Sequence, residues 1–276
     1  MQIRHRLTGA VLLDTPGDSL AGANLAHVVL LYGDLRGLDL RGANLVGADL
    51  CEADLSSARF DDATLTGADL SGSTLVGTSF RKTSLADAKM LGVDLGGANL
   101  TDADLTRTAF RLARASTPAS FRDSKLARSN LSHASFAGCD FTGADLTEAM
   151  CHGTALDGAI LQGATLTAAH LLDVPLPDAD LEWADLTLAT LHRVRLAGAR
   201  CAHALLGSTV LAHDLDLAEA LGLGECRHAG PSCLDLATLG AAEGRLPAPF
   251  LHGVGLGDLD LVPLRLALLH PGALPT

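Results

Sequence analysis

From Leu20 to Phe110 every fifth residue is Leu, Phe or Met, nineteen in succession, including Phe60, Phe80 and Met90. Two places before these large residues stands a small one, as at Ala43, Ala48, Ala53, Ser73 and Thr83. The pattern breaks over 111–120, RLARASTPAS, and resumes one residue out of phase at Phe121. This second run also has nineteen members, ending at Leu211, with Cys151 and Cys201 the only ones that are neither Leu nor Phe. Ala144, Ala149, Ala159 and Ala184 hold its small positions, and the larger exceptions in the two runs are Leu38, Val28, Val93, Val174 and Val194.

A period of five fits neither a helix, which repeats at 3.6, nor a strand, which repeats at 2.0. It fits a square coil in which each five-residue unit makes one side and four sides make a turn of about twenty residues. The large and the small residue of each unit then point to the axis, and the other three face outward. Leu45, Leu50, Leu55, Leu70, Phe80, Phe141 and Leu146 are therefore expected in the core. Coils stacked by parallel backbone hydrogen bonds lie about 4.8 Å apart, so some 9.5 coils make an all-β rod roughly 40–45 Å long. Burial in such a stack is cooperative, because one coil alone covers little apolar surface.

The expected organisation is an N-terminal cap over 1–19, the coil over 20–211 and a C-terminal cap or tail over 212–276. The phase break at 111–120 is expected to bulge from the rod as a loop, since Ala115 and Ser120 supply no large side chain there. In the tail, Ser232 is placed to cap a helix over CLDLATLGAA with Asp235 three residues on. Pro247 and Pro249 are expected to end any helix.

The units GANLV, GADLC, EADLS, GADLS, GANLT, DADLT and DADLE resemble the A(D/N)Lxx signature of pentapeptide repeat proteins. That resemblance covers roughly 20–211 and implies a right-handed quadrilateral β-helix. A second one follows the repeats. His228, Gly230, Pro231, Ser232, Leu239, the GRLP at 244–247 and the FLHGVG at 250–255 resemble the segment that joins pentapeptide repeats to a TIR domain in bacterial signalling proteins. No TIR domain follows it before the chain ends at LLHPGALPT, so NAD-cleaving activity is not expected of this chain.

Composition limits the chemistry. The chain is 48% apolar yet has 1 Trp, 1 Tyr and 7 Phe, so its core is aliphatic. A formal charge of -12 disfavours direct contact with nucleic acid or an anionic membrane and favours a basic partner. With no uninterrupted apolar run of about 18 residues, no membrane span is expected. The six cysteines form no C-x-x-C pair, and the N-terminus has no leader pattern, which together point to a reduced, cytoplasmic protein.

No catalytic, metal or cofactor site is expected. His133, His152, His192 and His203 fall at outward positions, His170 precedes a central leucine, and no H-x-x-x-H or H-E-x-x-H pair or phosphate loop occurs. Cys139, Cys151 and Cys201 read as buried packing thiols.

Charge is distributed unevenly. From Ser129 to His192 there is no Lys or Arg, while Asp140, Asp145, Glu148, Asp157, Asp173, Asp178, Asp180, Glu182 and Asp185 stand uncompensated in the linear sequence. Asp140 and Asp180 are two turns apart, as are Asp145 and Asp185, so each pair repeats on one face. Arg107, Arg111, Arg114, Arg122, Lys125 and Arg128 surround the break as a basic collar. One reading of the aspartates is that they belong to the repeat signature and keep the rod soluble; the other makes an acidic face built on Asp140, Asp145, Glu148, Asp180, Glu182 and Asp185 the candidate partner surface, with Arg111 and Arg114 as candidate loop contacts.

Quinolone-resistance members of the resembled family act on DNA gyrase or topoisomerase IV, which implies that this acidic rod imitates duplex DNA in the enzyme's basic channel. The alternative, implied by the C-terminal stretch, is a scaffold or sensor arm of a TIR-type signalling or defence system. The C-terminal region is the candidate surface for a homodimer.

Overall fold

The computed structural model describes residues 1–213 and 215–257; the rest of the expected C-terminal tail, 258–276, lies outside the described residues. The chain winds as a right-handed quadrilateral β-helix with the predicted five-residue side. Successive coils pair in parallel, as Asn24 with Asn44, Asn44 with Thr64 and Thr64 with Ser84. Leu45, Leu50, Leu55, Leu70 and Phe80 are fully buried, and Phe141 and Leu146 are 1% and 2% exposed.

The hydrogen bonds of one unit explain the period. In the unit around Leu45, Asn44 N donates to Ala23 O of the coil below, and Leu45 N and Gly47 N donate to Thr64 O and Thr66 O of the coil above. Ala48 N turns back to Leu45 O and closes the corner. Only the N–H of Val46 lacks a backbone partner, and the side chain of Asn44 accepts it at 3.2 Å. The Asp or Asn of the signature thus completes the unit's hydrogen bonding. Asp49, Asp54, Asp69, Asp104 and Asn130 do the same for the residue two places on.

At each corner the residue two after the centre has φ near +60°, as at Gly42 (64°) and Asp62 (59°). Glycine and short polar residues adopt this left-handed geometry most cheaply. Where the small inward slot holds Thr, its hydroxyl donates to the carbonyl of a central residue one coil below, as Thr78 to Leu55 O at 2.9 Å and Thr83 to Phe60 O at 2.7 Å. A threonine can be fully buried there because its hydroxyl is satisfied.

The phase break is not a projecting loop. Pairing shifts from twenty to twenty-one residues on four consecutive sides, Asn99 with Ser120 through Arg114 with Ser135, and returns to twenty at Ser120 with Asp140. One residue has been added to a single corner. The coil continues because Ala115 N still reaches Ser135 O, and Gly97 N still reaches Thr117 O. Arg114 stands in the signature position without a carboxylate, and Asp94 of the coil below accepts Ser116 N in its place at 3.1 Å. Central Ala115 is small, and the rings of Phe110, Phe121 and Phe136 gather at this level with centroids 5.3–6.1 Å apart.

Both ends of the rod are covered. Strands β1 (Gln2–His5) and β2 (Val11–Asp14) form an antiparallel hairpin, and β1 also pairs antiparallel with β3 (Gly33–Asp34) of the first coil. Ile3 enters the core at 1% exposure. Near the other end β4 (His170–Leu172), β5 (Thr190–His192) and β7 (Val210–Ala212) stack in parallel and are continued by β9 (Cys233–Leu234). β6 (Leu205–Leu206) pairs with β8 (Arg227–His228).

Helices α1 (Leu236–Ala241) and α2 (Ala248–Gly253) close the end, burying Leu239, Phe250 and Leu251. Asp235, not Ser232, is the cap of α1, its side chain accepting Thr238 N at 2.8 Å, because β9 carries the chain extended to Leu234. Pro247 and Pro249 begin α2 rather than end a helix, since the first turn has no intrahelical use for their missing N–H groups.

Candidate acidic interface

Call the side through Phe141 side A and the next, through Leu146, side B. The outward ladder of side A runs Ser120, Asp140, Ile160, Asp180, Arg200, and that of side B runs Lys125, Asp145, Thr165, Asp185, Leu205. Asp140 and Asp180 therefore share one side, and Asp145 and Asp185 the adjacent one, each pair about 9.6 Å apart by coil spacing. Glu182 lies on side A beyond Asp180, and Glu148 is at the corner that ends side B, with φ 57°.

Each of the four aspartates carries a structural bond. Asp140 Oδ1 accepts from Thr142 N and Oγ1 at 2.9 and 2.6 Å, and Asp145 Oδ1 accepts from Thr147 N and Oγ1 at 3.0 and 2.6 Å. Asp180 and Asp185 accept from Glu182 N and Thr187 N at 3.0 and 2.9 Å. One carboxylate oxygen ties the unit, and the second meets Arg122 at Asp140 and Arg200 at Asp180.

The segment is less uncompensated than its linear sequence. Arginines outside it in sequence lie one coil away in space: Arg122 meets Asp140 at 3.1 Å, Arg128 meets Glu148 at 2.9 Å and Arg193 meets Asp173 at 2.6 Å. Arg200 reaches both Asp180, at 3.4 Å, and Glu182. Asp145, Asp157, Asp178 and Asp185 form no ion pair among the described residues. Partial burial acts to raise the pKa of Asp140, but hydrogen bonds from Thr142 and Arg122 reverse that and hold it below the ordinary value. The bond from Arg128 lowers Glu148, and that from Arg193 lowers Asp173. These carboxylates stay ionised at neutral pH.

The basic collar is spread around the rod. Arg111 is exposed on the side through Phe110, and Arg114 lies on the next side, paired with Asp94 at 3.1 Å. Arg107 binds Asp87 on the corner column that also carries Arg128 and Glu148. Arg111 and Arg114 accordingly do not share a loop tip.

The other candidate chemistry is packing and stacking. Burial pushes the Cys139 thiol up to about 11 and those of Cys151 and Cys201 to about 12, which removes the thiolate needed of a nucleophile. The rings of His133 and His152 lie tilted against each other at 5.0 Å, and those of His192 and His213 at 4.3 Å. Among the described residues no group of three His, Cys, Asp or Glu could hold a metal ion, and no helix is long and apolar enough to cross a membrane.

The model of the pentapeptide repeats matches eight copies, over residues 19–56, 58–94, 78–114 and 124–163. No curated protein sequence matches the chain. Among solved structures, a trypsin-treated variant of QnrB1, a plasmid-mediated fluoroquinolone resistance protein, is similar at 21% identity and TM-score 0.54, over 70% of this chain and 94% of that one. HetL, a pentapeptide repeat protein involved in heterocyst differentiation regulation in the cyanobacterium Nostoc sp. strain PCC 7120, is 27% identical over 72% of this chain and 82% of its own, at TM-score 0.37. None of these descriptions names a catalytic activity.

Proposed function

The chain belongs to the pentapeptide repeat family, and on that premise we propose that it is a non-enzymatic protein-binding rod whose acidic sides occupy the basic DNA channel of DNA gyrase or topoisomerase IV. Binding there would keep topoisomerase poisons from acting; QnrB1, which shares the fold, is described as a fluoroquinolone resistance protein. The observation that supports this reading is the pair of aspartates repeating on each of two adjacent sides, each held by its own unit, with Asp145 and Asp185 free of ion pairs among the described residues. Nine carboxylates over the 64 residues of 129–192 give one charge per roughly 1.7 Å of rod axis, about that of duplex DNA at ~1.7 Å. Counting the four arginines that reach in from neighbouring coils leaves one net charge per about 3 Å, still a strongly acidic surface.

Replacing Asp140, Asp145, Asp180 and Asp185 together by Asn tests the reading. Asn keeps the oxygen that each unit needs and removes four charges, so circular dichroism should report an intact fold. Binding to gyrase should weaken, lose much of its salt dependence and cease to compete with duplex DNA. Neutralising Asp34, Asp39 and Asp54 in the other half controls for general charge. Unchanged inhibition of supercoiling by the folded quadruple variant would reject the mimic and favour the signalling scaffold implied by the C-terminal stretch.

A further inference from the structure

Side B of the coil that contains Asp185 runs between corners occupied by Trp183 and Leu188. Trp183 is the chain's one tryptophan, and it is 53% exposed; Leu188 is 58% exposed. Both adopt the left-handed corner geometry, with φ of 64° and 60°. The two preceding coils place Gly143 and Gly163 at the corner that Trp183 occupies, with φ of 67° and 65°. Folding therefore has no need of a large side chain there, and the backbone would favour glycine.

Trp183 is nevertheless held in place. Its ring lies against His203, with centroids 4.3 Å apart and planes tilted by 32°, and His203 Nε2 lies 3.7 Å from Glu225 Oε2. Between the two apolar corners stands Asp185, whose Oδ1 takes Thr187 N and which forms no ion pair among the described residues. Asp145 lies two coils away on the same ladder, in the same condition. A pre-positioned exposed tryptophan beside unpaired carboxylates has the composition of a binding hot spot, an aromatic anchor next to charges awaiting their counterparts.

We propose that Trp183 and Leu188 are apolar anchors that seat side B in a partner protein's basic groove, entering pockets on either side of the cations that meet Asp185. This assignment rests on the function proposed above and adds an element that DNA lacks: duplex DNA offers the channel charge but no side chain that enters an apolar pocket. The anchors supply the part of the affinity that salt does not screen.

The test substitutes Trp183→Gly and Leu188→Gly, singly and together, and measures binding to purified gyrase and topoisomerase IV at low and high salt. Glycine suits both corners, so thermal melting should stay level or rise, and lost binding cannot be blamed on unfolding. Each single variant should bind at least about 10-fold more weakly with an unchanged salt slope, whereas Asp185→Asn should flatten the slope. With 5-fluorotryptophan incorporated, the single fluorine resonance should shift or broaden on adding unlabelled gyrase. Native-level binding by the Trp183→Gly, Leu188→Gly double variant would overturn the anchors and leave the DNA-mimic reading standing. Failure of the native protein to bind either enzyme would overturn both.

Discussion

Asp145 separates the two roles that the signature carboxylate combines. Its Oδ1 accepts the otherwise unpartnered N–H of Thr147 at 3.0 Å and the Thr147 hydroxyl at 2.6 Å. Asp145→Ala removes the acceptor and leaves a half-buried amide unsatisfied, a loss of about 1–2 kcal/mol. Asp145→Asn retains an oxygen in the same place and should cost less than about 0.5 kcal/mol. For a chain of this size one kcal/mol moves the melting temperature by roughly 2–4 °C, so the alanine variant should melt about 2–8 °C lower and the asparagine variant within about 2 °C of native. Thr165→Ala on the same ladder removes no such acceptor and serves as the reference. Scanning calorimetry with far-UV circular dichroism reads all three. If Asp145→Asn fell as far as Asp145→Ala, charge rather than the oxygen would hold the unit, and the hydrogen-bond origin of the five-residue period would be wrong.

Two further outcomes follow from the core and the cap. Leu70→Asp would bury an unpaired carboxylate at a position with 0% exposure, costing about 4 kcal/mol or more; Ser71→Asp, which points outward, should cost under about 0.5 kcal/mol, and equal melting of the two variants would contradict the inward assignment. His228 has both ring nitrogens buried without a partner among the described residues, and burial lowers its pKa. A depressed folded-state pKa means that the unfolded cap binds the proton more tightly, so stability at this site is full above the unfolded value of about 6.5 and is lost as the pH falls from there through the lower folded value. Hydrogen exchange in α2 should therefore speed up at pH 5.5 relative to a His228→Phe variant, and parallel pH profiles for the two proteins would refute it.

The core and the four-sided coil were legible in the sequence because a buried leucine at every fifth position has no other regular solution. The outward positions were less so. The carboxylates of 129–192 appear unpartnered when counted along the chain, yet Arg122, Arg193 and Arg200 are one coil away in space. A repeat brings residues about twenty apart into contact, so charge balance has to be read down a ladder and not along a window. The break at 111–120 was visible, but its form depended on where backbone N–H groups find acceptors, and Asp94 reaching Ser116 has no local signal. The capping of α1 by Asp235 depended on how far β9 extends, which is decided by its pairing with β7. Trp183 carried a signal that sequence reasoning passed over: the chain's one tryptophan, in a corner column that holds glycine at Gly143 and Gly163.

The one residue added near Ala115 shows what the corner absorbs and what the sides do not. Beyond it every residue keeps the side it would have had, so azimuth around the rod is decided by the count of sides and not by the count of residues. Losing a whole unit would be a different event. Everything downstream would turn by a quarter revolution, carrying Asp140 and Asp180 round to the side now aligned with Ala115, while the buried leucines would keep their inward places. Only changes of four units leave the two halves facing as they do. Length in this fold is therefore an angular variable, and drift in repeat number among related chains would re-aim a surface without altering a single residue on it.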